Sequence, residues 1–406
     1  MFRTRVAVCT VLIAGAVVAP ARTLAQANID WLGEQAGAHE IGTIREVWFD
    51  DARRETFVAD AGGNRMLSVQ VWYPAAVGGE PRSVYAPEIA DYDDWSLENW
   101  GPGVARATRS YEAPAISTDR ESWPVVIFSH GFGVPVFSSS YLTEYLATEG
   151  FIVVGIGHTG WDARMRYPNG RAIPELAPPP PDESLDNLPH VERYRASAAD
   201  PYMLQRRDTA LTDIEFVLDE LARRKFAGSD GLYVRMDLST IGALGYSMGG
   251  ADVFEASLSE SRIAAVVNLD GGLNGYTVLD SGTDRPALLI QAANAFGSVS
   301  SGPTDPGLEE LANEVERSLW RMLRVSGGPW YLAMIDGAVH PSFSDAFLVS
   351  DSPDGVIDPG QAHRIVQSVT LEFFQRYLMG AATTPILDHA SSFDGLRLIT
   401  RSADAQ

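Results

Sequence analysis

Ser247 stands in Gly245-Tyr246-Ser247-Met248-Gly249-Gly250, between an apolar run at residues 238–244 and a helix-prone stretch at 251–256. Glycine two residues before and two after a serine, with a strand ahead and a helix behind, is the arrangement of a nucleophile elbow. Such a turn is too tight for larger residues at those two positions. It holds the serine oxygen at the N-terminus of the helix. A serine hydroxyl is a weak nucleophile at neutral pH. It needs a histidine base, an acid that orients the histidine, and N–H donors for the developing oxyanion. The chemistry to look for is therefore acyl transfer through a serine. In elbows of this kind the acid and then the histidine follow the serine along the chain.

Three histidines lie late enough to serve: His340, His363 and His389. His363 falls inside a helical pattern at 361–379, where a solvated face is expected, and His389 lies in the polar tail. His340, in Gly337-Ala338-Val339-His340-Pro341-Ser342, directly follows the strand-like Trp330–Ile335 and is the expected base. The more usual place for the acid is after the apolar run 286–292. It holds Ala293-Asn294-Ala295-Phe296-Gly297, with no carboxylate before Asp305. One strand earlier, Asp270 ends Ile263–Leu269. Asp270 is the expected acid and Asp336 the runner-up. The oxyanion donors should be the backbone N–H groups of Met248 and of Phe132. Phe132 lies in the turn His130-Gly131-Phe132-Gly133 after the strand 125–129. His130 is expected to orient that turn. His158, which ends the strand 151–156, and Tyr246 are expected at the substrate pocket, although a lone histidine is more often a satisfied core residue. Neither a metal nor a cofactor is expected.

Elements must bring these residues together. Residues 65–73 alternate apolar and polar and then stop at Pro74, as in an early antiparallel strand. The later strands are nearly continuous apolar runs alternating with helices, among them an amphipathic one at 209–223. That pattern implies an α/β fold with a mostly parallel central sheet and helices on both faces. Ligands in such sheets bind at the carboxyl ends of the strands, where every candidate above lies. Residues 162–201, with Pro178 to Pro181 in a row, lack this periodicity and read either as an excursion over the mouth of the site, the favoured reading because they follow a strand whose end faces the site, or as a tethered surface loop.

Residues 1–25 have a basic start at Arg3 and Arg5, an apolar stretch and a small-residue exit, as in a signal peptide. Residues 26–406 would then form one domain, secreted or periplasmic, with no transmembrane segment. The one cysteine, Cys9, lies in that leader, so no disulfide or thiolate site is expected afterwards. Loss of Arg3, Arg5 and Arg22, with no acid, takes the net charge from -22 to -25. That balance argues against nucleic acid as a partner.

These residues together resemble the plasma-type platelet-activating-factor acetylhydrolases, of the alpha/beta-hydrolase fold, and their bacterial relatives. The likeness runs from about residue 41 to 380. It is carried by Val71-Trp72-Tyr73-Pro74, Phe128-Ser129-His130-Gly131-Phe132-Gly133, the strand leading to His158, and the Ser247 elbow. It also includes the early acid Asp270 and Gly337-Ala338-Val339-His340 with Phe343 and Asp345 behind it. The resemblance implies Ser247 as nucleophile, Asp270 as acid, His340 as base and Phe132 and Met248 as oxyanion donors. It also implies a small-molecule or lipid ester with a short acyl group as substrate. No counterpart of the animal enzymes' lipoprotein-docking helix is evident. Cutinase-type polyester hydrolases share the Ser-Met-Gly-Gly elbow but usually carry their acid one strand later.

Overall fold

The computed structural model describes residues 37–57, 63–85, 107–162, 165–166, 172–173, 188–228, 231–293, 306–349, 355–389 and 393–401. The leader, Pro178 to Pro181 and the residues 294–305 lie outside them. Strands follow in the order β1 (Glu40–Arg54), β2 (Asn64–Ala76), β3 (Arg82–Val84), β4 (Ala107–Glu112), β5 (Ala115–Ile116), β6 (Trp123–Ser129), β7 (Ile152–Gly157), β8 (Met165–Arg166) and β9 (Ala172–Ile173). They continue with β10 (Met236–Tyr246), β11 (Ile263–Leu269), β12 (Ala287–Ala292), β13 (Trp330–Ile335) and β14 (Leu396–Arg401). The longer helices are α1 (Ser140–Thr148), α2 (His190–Ser197), α3 (Pro201–Ala227), α4 (Met248–Ser259), α5 (Pro306–Val325) and α6 (Pro359–Met379).

The main sheet runs β14-β13-β12-β11-β10-β6-β7-β2-β1-β4-β3, with β5 on β2. Its middle, β7 to β13, is parallel throughout. Its flanks are not. β2 runs antiparallel to β7 and to β1, and β14 antiparallel to β13. The sheet is therefore mixed: the expectation of a mostly parallel sheet holds for its middle and is corrected at its flanks. The reason at one flank is connection length. Only residues 55–63 separate β1 from β2, enough for a hairpin but too few for the crossover a parallel pair needs.

The parallel block explains its own sequence. In β6 every residue is buried. Val126 and Phe128 face one core, with α1 and α6; Val125 and Ile127 face the other, with α3, α4 and α5. A strand covered on both faces has no polar side to show, so alternation disappears. Each such Val, Ile or Phe contributes about 1.5–3 kcal/mol by burial. Helix α3 is longer than its apolar stripe implied. Asp200 accepts the N–H groups of Tyr202 and Met203, Pro201 opens the first turn, and Gly228 ends the helix in the left-handed region. Helix α2 lies within the stretch read as an excursion without periodicity. β14 lies in what read as a tail.

Candidate active site

The elbow joins β10 to α4. Ser247 has φ 54° and ψ −124°, a conformation that side chains rarely adopt. The close approaches explain the flanking glycines. A β-carbon on Gly245 would come within 2.2 Å of the Gly249 carbonyl oxygen, and one on Gly249 within 2.2 Å of the Ser129 carbonyl oxygen. Ser247 thus projects at the N-terminal end of α4, where the free N–H groups and the helix dipole favour negative charge.

His340 opens a short helical turn, His340–Phe343, after β13. Its Nε2 lies 3.0 Å from Ser247 Oγ and its Nδ1 2.7 Å from Asp270 Oδ2. A carboxylate only accepts, so the ring proton sits on Nδ1 and Nε2 is free to accept from the serine hydroxyl. Asp270 follows β11, the strand beside β10. Its Oδ1 accepts the Ala292 N–H at 3.0 Å, and its own N–H donates to the Ile290 carbonyl at 2.8 Å. One carboxylate oxygen is therefore held by the end of β12, and the other is left for the histidine. Asp336, the runner-up, instead pairs with Arg397 on β14 and is half exposed.

The turn after β6 packs on the elbow. A β-carbon on Gly131 would meet Ser247 Cβ at 3.1 Å. Next to it, the Phe132 N–H makes no hydrogen bond among the described residues. Met248 is the first residue of α4, and its N–H has no acceptor within the helix. Two candidate donors therefore flank the serine, and both residues are half-buried.

Tyr246 and Asp345 hold the histidine loop. The Tyr246 ring stacks on His340 with centroids 5.0 Å apart, and its hydroxyl donates to the His340 carbonyl at 3.2 Å. Burial, with the Asp270 carboxylate nearby, pushes the Tyr246 phenol well above its usual range. It stays a neutral donor. Asp345 accepts from the Ser140 and Tyr141 N–H groups at 2.7 and 2.9 Å and from the Tyr85 hydroxyl at 2.7 Å. It thereby ties the loop to the N-terminus of α1.

Two histidines stand otherwise than expected. His158 is fully buried, with Nε2 3.0 Å from Ser129 Oγ and Nδ1 2.9 Å from Asp213 Oδ2. Both ring nitrogens are engaged inside the protein, so it is a satisfied core residue and not a wall of the pocket. His363, expected on a solvated face, is buried and stacked on Tyr141 at 3.6 Å. Burial pushes its pKa down to about 3. Asp213 and Arg206, which the sequence reading passed over, were detectable. Both lie on the buried stripe of α3 with Ala210, Val217 and Leu221. A charged residue on such a stripe requires a partner. Arg206 finds Asp252 at 2.9 and 2.7 Å.

Among the described residues no cluster of three or more His, Cys, Asp or Glu is placed to hold a metal, and no helix is long and apolar enough to cross a membrane.

Residues 103–178 match the family model of platelet-activating factor acetylhydrolase, isoform II. That stretch includes β6, the Phe132 turn and β7. The chain is 25% identical over 288 residues to a platelet-activating factor acetylhydrolase from Gallus gallus. The match covers 64% of this chain and spans 63% of that protein's length. Both agree with the resemblance drawn from the sequence. Among solved structures, a ferulic acid esterase from Streptomyces cinnamoneus superposes with a TM-score of 0.66 at 23% identity. The superposition covers 89% of this chain and 96% of that one, so the two share a fold.

Proposed function

We propose that the protein is an exported serine hydrolase that cleaves carboxylic esters with short acyl groups through an acyl-enzyme. The observation that carries this reading is the hydrogen-bonded run from Ser247 through His340 to Asp270, at 3.0 and 2.7 Å. Support also comes from the acetylhydrolase relatives. In this mechanism Ser247 Oγ attacks the ester carbonyl while its proton passes to His340 Nε2. Asp270 stabilises the imidazolium and keeps the proton on Nδ1. The carbonyl oxygen becomes an oxyanion and accepts from the N–H groups of Phe132 and Met248. His340 then protonates the leaving alcohol. Water, deprotonated by the same histidine, releases the acid. The residues 1–25 act as the export leader, and 26–406 as one hydrolase domain.

A cutinase-like polyester hydrolase is the second reading, favoured by Ser247-Met248-Gly249-Gly250. The position of Asp270 directly after β11, not after β12, weighs against it. An inactive binding protein would have no need of the aligned run.

A fluorophosphonate probe should label Ser247, located by peptide mass spectrometry. A panel of p-nitrophenyl esters should show a preference for acetate and propionate. Absence of both labelling and ester hydrolysis would sink the enzyme reading. Hydrolysis of a polyester film in preference to the short esters would select the second one.

A further inference from the structure

Ser129 is the last residue of β6 and the first support of the turn that carries Phe132. It belongs to a second Ser–His–Asp run, Ser129–His158–Asp213, in which none of the three side chains is exposed. Asp213 only accepts, so the His158 ring carries its proton on Nδ1, and Nε2 accepts the Ser129 hydroxyl. Burial lowers the His158 pKa, against the pull of Asp213, and keeps the ring neutral. Asp213 in turn meets Arg65 on β2, whose Nε and Nη2 lie 3.0 and 2.6 Å from its two oxygens.

The same segment grips the turn through its backbone. The His158 N–H donates to His130 Nε2 at 3.1 Å, and the Gly133 N–H donates to the Trp161 carbonyl at 2.9 Å. Arg65 closes the loop on itself by reaching the Thr159 carbonyl at 2.7 Å. Ser129, His130 and Gly133 are thus all bound to residues 158–161, and these bonds bracket Phe132 on both sides. Phe132 itself packs against the Phe57–Trp161 cluster.

A hydroxyl buried in a strand end cannot meet an ester, so this run is no second nucleophile. What it can do is fix backbone. We infer that Ser129, His158 and Asp213 are positioning residues that hold the Phe132 N–H where the oxyanion forms. The inference rests on the proposed role of Ser247 and Phe132. A donor of this kind works only within about 2.7–3.1 Å of the oxyanion, and a displacement of about 1 Å can cost on the order of 100-fold in rate. The turn has no regular secondary structure to fix it at that tolerance, and the buried run supplies the constraint.

The test compares Ser129→Ala and His158→Gln with the unmodified chain, using p-nitrophenyl acetate and a trifluoromethyl ketone that mimics the tetrahedral adduct. At temperatures well below each Tm, kcat should fall roughly 10- to 100-fold with KM within about threefold, and affinity for the ketone should fall by the same factor as kcat/KM. The pH profile set by the Ser247–His340 pair should not move. A merely structural role predicts the opposite: a lower Tm with kcat and ketone affinity within about twofold of the unmodified protein, and this result would overturn the inference. Should His158→Gln fail to fold, Ser129→Ala, which removes a single oxygen, decides the matter. An unmodified chain that neither hydrolyses the ester nor binds the ketone refutes the enzyme reading itself, and is told apart by that.

Discussion

Two runs of the same three residue types, Ser247–His340–Asp270 and Ser129–His158–Asp213, lie in this molecule with nearly equal spacings. The first has 3.0 and 2.7 Å between successive partners, the second 3.0 and 2.9 Å. What separates them is surroundings. Ser247 sits at positive φ on the tip of a turn, beside free N–H groups, with His340 partly open to solvent. Ser129 ends a buried strand, and Asp213 is neutralised by Arg65 and also paired with Arg53 at 2.9 Å. Hydrogen-bond geometry alone therefore does not make a reactive serine. Access, backbone strain and a place for the oxyanion do.

The sharpest way to break this contrast is by activity. Ser247→Ala and His340→Ala should each lose about a thousandfold or more in turnover while keeping the native circular-dichroism spectrum. Ser129→Ala should lose far less. Near-normal turnover in a folded Ser247→Ala would erase the distinction. Asp270→Asn should also lose about a thousandfold or more, because the histidine then settles in the wrong tautomer. Asp336→Asn should stay close to the unmodified rate, and the reverse ranking would move the acid to β13.

Stability should order the two runs the other way. Arg65→Ala strands the buried Asp213 and should cost about 3–5 kcal/mol in urea unfolding, whereas Ser247→Ala should barely move the midpoint. A small effect of Arg65→Ala would mean that Arg53 alone suffices for Asp213.

Acid separates the histidines further. His363, at about 3, and His158, lowered by burial, take a proton less readily folded than unfolded. Their contribution to stability is thus full above the ordinary histidine value of about 6.5. It is lost as pH falls from there towards the folded value, at about 1.4 kcal/mol per pH unit and per histidine. For His363 the window runs from about 6.5 to about 3. His363→Gln should flatten the unfolding free energy between pH 6.5 and 4, and an unchanged slope there would exclude His363 as its source.

The smallest effect concerns substrate charge. Arg65 and Arg206 face inward on buried carboxylates, so neither offers its charge to a substrate, and the chain carries a net charge of -22, or -25 without the proposed leader. Neutral esters should be hydrolysed a few-fold faster than carboxylated analogues at low salt, with the gap closing as salt screens it. Faster turnover of the anionic ester, abolished by Arg164→Ala or Arg166→Ala, would instead make the segment after β7 a clamp.

The elbow, the Asp270 position and the His340 loop were legible because each is a local pattern: glycines at fixed offsets, or a polar residue directly after an apolar strand. Of the antiparallel flanks, β2 was legible as an antiparallel strand, and β1 and β14 were less so. β1 mixes charged and apolar residues in an antiparallel pair with β2, and β14 is a half-exposed edge strand with weak alternation. His363 was misplaced for a related reason. A helix face does not reveal from sequence whether a neighbour covers it, and here Tyr141 of α1 does.

The chain by itself determined which residues have reactive chemistry and at which strand ends they stand, since strand periodicity and turn glycines depend on neighbours a few residues away. Only the tertiary structure decided which serine is sealed completely, Ser129 at 0% exposure, and which keeps a little surface beside a partly exposed histidine, Ser247 at 8%. Ser129 and Ser247 both end apolar strands and both meet a histidine and an aspartate far away in sequence. The difference arises from what packs over them: residues 158–162, α3 and Arg65 over Ser129, but glycine backbone and a half-open loop around Ser247. Burial is a property of long-range contacts, and no local pattern encodes it.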